Sequence, residues 1–138
     1  VLTTVDARQV DSPLSVDELK AAIDCLKVNK MLGLDGLPTE FFQIFKDFLA
    51  PRFLEVWNES LLFKKLPNLL NTAIIKLLHK RGDKQELTNW RPLTMLNTAY
   101  KVFAKAIANR LTPVLMRWIS AEQKGFIKGR KIIEAVIR

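Results

Sequence analysis

The chain has 138 residues, one domain's worth or a piece of a larger protein, with 49% apolar and 26% charged residues, a balance that supports a packed core and excludes a disordered polymer. No apolar run nears the ~20 residues of a membrane-spanning helix, and the N-terminal "VLTTVDARQV" lacks a signal-peptide pattern. The net charge of +8 is unevenly held: residues 1–75 carry 8 Lys+Arg against 10 Asp+Glu, net −2, whereas residues 76–138 carry 14 against 4, net +10.

"SPLSVDELKAAIDCLKVNK" opens with a helix start: Ser15 as N-cap, Glu18 completing a capping box, and Leu19, Ala22, Ile23 and Leu26 recurring at helical spacing. Cys25, the lone cysteine, excludes an internal disulfide and CxxC metal spacing; within this helical pattern it reads as a buried thiol. A reducing intracellular setting, nucleus or cytoplasm, is the corresponding expectation. "MLGLDGLP" breaks the helix and leaves Asp35 in a tight turn. A second helix is expected from Thr39, with Phe41, Phe42, Phe45, Phe48 and Leu49 as one core-facing stripe. A third is expected after Pro51, carrying Leu54, Trp57 and Leu61 inward and ending before "KKLPN".

From Thr72 the texture changes. "TAIIKLLHK" and "WRPLTML" read as strands joined by the turn residues of "RGDKQELTN", which predicts an antiparallel hairpin over about residues 72–97. The fold class is therefore α+β, mostly helical with a small hairpin. A long helix follows from Thr98, with Lys101, Lys105 and Asn109 lining one face and Pro113 expected to kink or split it near Arg110. "SAEQKGFIKGR" is a basic loop bearing glycines, and "KIIEAVIR" begins another helix.

The cationic half is the footprint of a protein that faces phosphates, although a solvated helix face is also often basic. "HKRGDKQELTNWRPLTMLN" sharpens the question: Lys80, Arg81, Lys84 and Arg91 are either surface cations of a hairpin or one wall of a polyphosphate site. An arginine fork gives bidentate contacts to phosphate, a lysine supplies a point charge, and Pro92 holds Arg91 extended.

In order, "GLDGLPTEFF", "IIKLLHKRGD", "NWRPLTMLN", "YKVFAKAIANRL" and "EQKGFIKGR" resemble the N-terminal part of a reverse transcriptase of the non-long-terminal-repeat (LINE-type) retrotransposons, from about Ser12 onward. The resemblance implies that residues 1–138 are the fingers of a right-hand polymerase and the entry to its palm. It implies that Lys80, at a mobile basic tip, and Arg91 face the incoming deoxynucleotide triphosphate. Trp90, pointing the other way on the strand, would anchor the hairpin to the fingers. It further implies that Gln123, Gly125, Phe126 and Arg130 lie beside the RNA template and DNA primer. There the glycine permits close approach of a strand and Phe126 either stacks on a base or plugs the core. Lys101, Lys105 and Arg110 are template contacts or a solvated helix face.

The chain departs from the family at Met31, Leu32 and Leu34 in the first turn, at Leu70 where a tryptophan is common, and at His79 where a proline is common. His79 has no nucleophile or metal-ligand partner in the sequence and is given no catalytic role. The family's polymerase chemistry uses two Mg2+ ions on palm carboxylates, one pair in an Asp-Asp hairpin. No Asp-Asp pair occurs in this chain, and its basic half contains only Asp83, Glu86, Glu122 and Glu134. No catalytic or metal-binding residue is therefore expected, and the chain alone is expected not to polymerise. A stand-alone basic module that binds nucleic acid or a protein partner, derived from such an element, is the other reading.

Overall fold

Ser15 sets the first well-packed helix. Its hydroxyl accepts from the Glu18 amide at 3.2 Å while the Glu18 carboxylate accepts from the Ser15 amide at 2.9 Å, so two orphan donors of the helix end are satisfied together. The computed structural model describes residues 4–119. They form α1 (Thr4–Asp11), α2 (Val16–Asp24), α3 (Thr39–Ile44), α4 (Lys46–Phe63), β1 (Ala73–His79), a 3-10 turn at Leu87–Asn89, β2 (Trp90–Leu96) and α5 (Thr98–Trp118). The fold is α+β, as expected, and its hairpin falls inside the expected bounds. No helix among the described residues is long and apolar enough to cross a membrane.

Two compact units divide the chain, one of residues 13–106 and one of residues 1–12 with 107–138. The larger unit is built on Leu19, Ala22 and Ile23 of α2, Phe42 of α3, Ala50 of α4, Leu70, and Val102, Phe103 and Ala106 of α5, all buried. An aromatic chain runs through it: Phe42 to Phe53 at 5.9 Å, Phe53 to Phe103 at 5.6 Å, Trp57 to Phe103 at 5.4 Å. Burial of each large side chain contributes about 1.5–3 kcal/mol. Ion pairs at 2.7 Å, Lys20–Asp47 and Lys46–Asp24, tie α2 to the start of α4. The Lys20 hydrogen bond holds the Asp47 carboxyl below its ordinary value. Its contribution to stability is thus present above the usual aspartate range and is lost as pH falls through the lowered value.

Five sequence expectations are corrected here. The third helix starts at Lys46, and Pro51 lies within it. The chain bends earlier, at Phe45 (φ −98°, ψ 17°), and the carbonyl that Pro51 leaves unpaired belongs to the exposed Asp47. That bend resets the helical phase. Phe41, Phe42 and Leu49 stay inward, but Phe45 and Phe48 turn out, Phe48 being 68% exposed. Leu61 is also exposed, because the inward position is taken by Ser60, whose hydroxyl donates to the Val56 carbonyl at 2.7 Å. Cys25 is exposed, since α2 ends one residue before it. α5 runs unbroken through Pro113, with the Thr112 hydroxyl donating to the Ala108 carbonyl at 2.5 Å beside it.

In the smaller unit Arg110 donates to the carbonyls of Val10, at 3.2 Å, and Ser12, so its guanidinium caps the C-terminal end of α1.

The base of the hairpin is held by Asn97, which is fully buried. Its side chain donates to the Leu69 carbonyl at 2.7 Å and accepts from the Asp35 amide at 3.3 Å. The next residue, Thr98, donates to the Leu37 carbonyl at 3.2 Å. Gly33 permits this approach: a Cβ there would lie 2.5 Å from the Asn97 Cα. Gly36 supplies the turn's left-handed residue at φ 67°, and the Asp35 carboxylate accepts from the Leu37 amide at 3.2 Å. Asn97→Ala removes a partner from two partly buried backbone groups and is expected to cost about 2–4 kcal/mol. Gly36→Ala, with open space around its Cβ, is expected to cost about 1–2 kcal/mol from backbone strain alone. Equilibrium urea unfolding checks both, and an unchanged midpoint for Asn97→Ala would show that the buried amide is not the clamp.

Candidate nucleic-acid interface

The register of the hairpin decides which side chains share a face. Leu78 pairs with Arg91, Lys76 with Leu93 and Ile74 with Met95, while Leu77 pairs with Pro92 and His79 with Trp90. Strand alternation therefore puts Ile74, Lys76, Leu78, Arg91, Leu93 and Met95 on one face, and Ile75, Leu77, His79, Trp90, Pro92 and Thr94 on the other. The Lys80 amide donates to the Asn89 carbonyl at 2.8 Å, so the ladder continues one step beyond β1 and Lys80 joins the Arg91 face. The same bond puts the hydrogen-bonded pairs at 80/89, 78/91 and 76/93. Pro92 then falls where no ladder donor is required.

Around the exposed Leu78 and Leu93, this face carries three cations. Arg91 lies opposite Leu78 and diagonal to both Lys76 and Lys80, a spacing of about 7–8 Å between backbone positions. Among the described residues no carboxylate forms an ion pair with Lys76, Lys80 or Arg91; the described pairs are Lys20–Asp47, Lys46–Asp24 and Arg52–Glu55. Like charges at this distance repel one another and attract a polyanion in common. The inner end of the face is apolar, with Met95 buried, so the cations are raised on a strand whose root sits in the core.

The tip is a hydrogen-bonded loop rather than a free one. Gly82 takes φ 83°, the Asp83 carboxylate accepts from the Gln85 amide at 2.9 Å, and the Asn89 side-chain amide donates to the Asp83 carbonyl at 2.9 Å. Trp90 closes it. The indole Nε1 donates to the Lys84 carbonyl at 2.9 Å, and the ring meets that of His79 edge-on at 5.2 Å. His79 Nε2 lies 3.0 Å from the Gly82 carbonyl oxygen, which only accepts, so that nitrogen carries a proton. Trp90 thus fastens the hairpin's own loop, where the sequence suggested an anchor to the rest of the fingers.

Lys80 and Arg91 lie on one face of the hairpin. Lys76 was missed there; the parity of positions 76, 78 and 80 along a strand was the signal that would have found it. Gln123, Gly125, Phe126 and Arg130 lie outside the described residues. Among the described residues no group of three or more metal-ligating side chains occurs, and the Asp83 and Asp35 carboxylates each accept from a turn amide.

Similar sequences occur among transposon-encoded proteins. The chain is 41% identical over 128 residues, 93% of its length, to the "Transposon TX1 uncharacterized 149 kDa protein" of Xenopus laevis. It is 27% identical over 129 residues, 91% of its length, to the "Probable RNA-directed DNA polymerase from transposon BS" of Drosophila melanogaster. It spans 10% of the first protein's length and 14% of the second's. No family model matches the chain. Its relatives are thus transposon-encoded proteins, one of them bearing a polymerase name.

Each cation of the face should register in a salt titration. Binding of a single-stranded oligonucleotide, followed by anisotropy, is expected to weaken steeply as salt rises. The slope of log affinity against log salt should shrink by about 0.7 for each of Lys76→Ala, Lys80→Ala and Arg91→Ala that removes a phosphate contact. Slopes unchanged in the triple variant would show that phosphates do not meet this face.

Proposed function

We propose that this chain is the fingers part of a non-long-terminal-repeat (LINE-type) retrotransposon reverse transcriptase and that its hairpin supplies one wall of the deoxynucleotide triphosphate site. The observation that carries this reading is the strand register that brings Lys80 and Arg91 onto one face with Lys76 beside them. Similarity to a transposon's probable RNA-directed DNA polymerase across 91% of the chain supports the same reading.

Arg91 would grip the phosphates through its two-pronged guanidinium, while Lys80 neutralises charge from across the hairpin and Lys76 extends the field along the strand. The closed loop holds Lys80 close to Arg91 before the ligand arrives, which lowers the ordering cost of binding. Gln123, Gly125, Phe126 and Arg130 would meet template and primer. The metal-ion chemistry of the complete polymerase belongs to carboxylates outside this chain, so the fragment contributes binding and positioning.

The test has two arms. The 138-residue chain with primed RNA template, magnesium and deoxynucleotides is expected to give no extension, and templated synthesis that tracks the protein through purification would contradict that. In a chain extended through the palm, Arg91→Ala is expected to weaken transition-state binding by about 1.5–3 kcal/mol, read from kcat/KM, with the fold intact. Unchanged incorporation would make Arg91 an ordinary surface cation.

A further inference from the structure

The C-terminal end of α4 carries a surface that neither the core nor the hairpin uses. Leu62 is 77%, Phe63 73% and Leu61 58% exposed there. Exposed apolar side chains scattered singly are ordinary; three in a row at one helix end are a feature of interaction sites. Phe63 lines one hollow of about 320 Å3 and Leu61 a second of about 300 Å3, and the two share Ser60, Lys65 and Leu66 as walls. Trp57 and Leu61 line the second hollow, Lys64 and Lys65 edge it, and Glu59 lines only the first.

The two lysines are not consumed by the helix end. Lys64 takes the left-handed conformation at φ 51°, its amide donates to the Leu61 carbonyl at 3.3 Å, and the Lys65 amide donates to the Ser60 carbonyl at 3.1 Å. Backbone donors thus satisfy the last carbonyls, in the pattern of a Schellman turn, and leave both ammonium groups at the rim. No described carboxylate pairs with either, whereas Lys46 and Arg52, nearer the start of the same helix, are both paired.

We propose that the C-terminal end of α4 and the turn after it, with Leu61, Phe63, Lys64, Lys65 and Leu66, form a docking site for an acidic segment of another protein that carries leucine or phenylalanine side chains. The hollows take apolar side chains, and the rim lysines take Asp or Glu. Electrostatic matching of this kind selects the partner and its register more than it sets raw affinity. Nucleic acid would meet the same two lysines but brings no aliphatic side chains to fill hollows walled by Leu61 and Leu66. A second copy of this chain fits less well too, since a two-fold contact would bring like-charged rims together.

Calorimetric titration of the 138-residue chain decides the matter with four defined probes. These are a peptide alternating Glu with Leu and Phe, the same peptide with Lys for Glu, the same with Ala for Leu and Phe, and a single-stranded oligonucleotide. Only the first is expected to bind at this surface. Its Kd should rise with salt, and by about tenfold in Lys64→Glu/Lys65→Glu, a loss of about 1.4 kcal/mol. Phe63→Ser, which keeps the charge, should weaken it as well, with circular dichroism confirming that both variants fold. The proposal is overturned if the lysine peptide binds equally, if neither variant changes acidic-peptide binding, or if no peptide binds. It is equally overturned if Lys64→Glu/Lys65→Glu abolishes oligonucleotide binding or self-association instead.

Discussion

One buried side-chain amide holds three segments of this chain together. Asn97 reaches back 62 residues to the Asp35 amide and 28 residues to the Leu69 carbonyl, and no water-exposed route serves it, since its side chain is fully buried. A buried amide with both ends satisfied is worth keeping; with one end orphaned it would destabilise the fold. The consequence reaches the hairpin directly. Asn97 is the residue after β2 and Leu69 lies just before β1, so their bond closes the root of the two strands. Leu70, buried alongside, and Met95 on the inner face complete that root.

From a fixed root, the remaining geometry follows by alternation. A one-residue slip in register would send Arg91 to the opposite face from Lys76 and Lys80. Buried Met95 resists such a slip from one end, and the Trp90–Lys84 and His79–Gly82 bonds resist it from the other. The shared face of Lys76, Lys80 and Arg91 therefore depends on side chains of Met95, Trp90 and His79 that lie off it or at its root. The mutual repulsion of the three cations is the cost, tolerated because all three are exposed to solvent.

Much of this was legible in the sequence because the signals are local. The Ser15–Glu18 capping box, the turn at Asp35 and Gly36, and the paired β-rich runs around a Gly-Asp turn each sit within a few residues and carry their own chemistry. The misreadings were of two kinds. Phe45 and Phe48 were misplaced because a short bend at Phe45 resets helical phase without any glycine, and with Pro51 six residues too late to mark it, whereas Leu61 yields the inward position to Ser60 in the helix where Leu54 and Trp57 pack as expected. Asn97 was passed over because its partners are far away in sequence; a lone asparagine after a strand looks like a turn residue. Trp90 was correctly set apart from Arg91, but its hydrogen-bond partner is a loop carbonyl, which no residue type announces.

The claim on which the functional reading turns is that one parity of the hairpin, and not the other, meets phosphate. Methyl and amide NMR shifts during titration with inorganic tripolyphosphate test it most directly, because Leu78 and Leu93 report one face while Ile75 and Leu77 report the other. Shifts concentrated at Lys76, Leu78, Lys80, Arg91 and Leu93, with Ile75, Leu77 and Thr94 unmoved, are the predicted result. Equal shifts on both faces, or shifts confined to residues outside the hairpin, would contradict it.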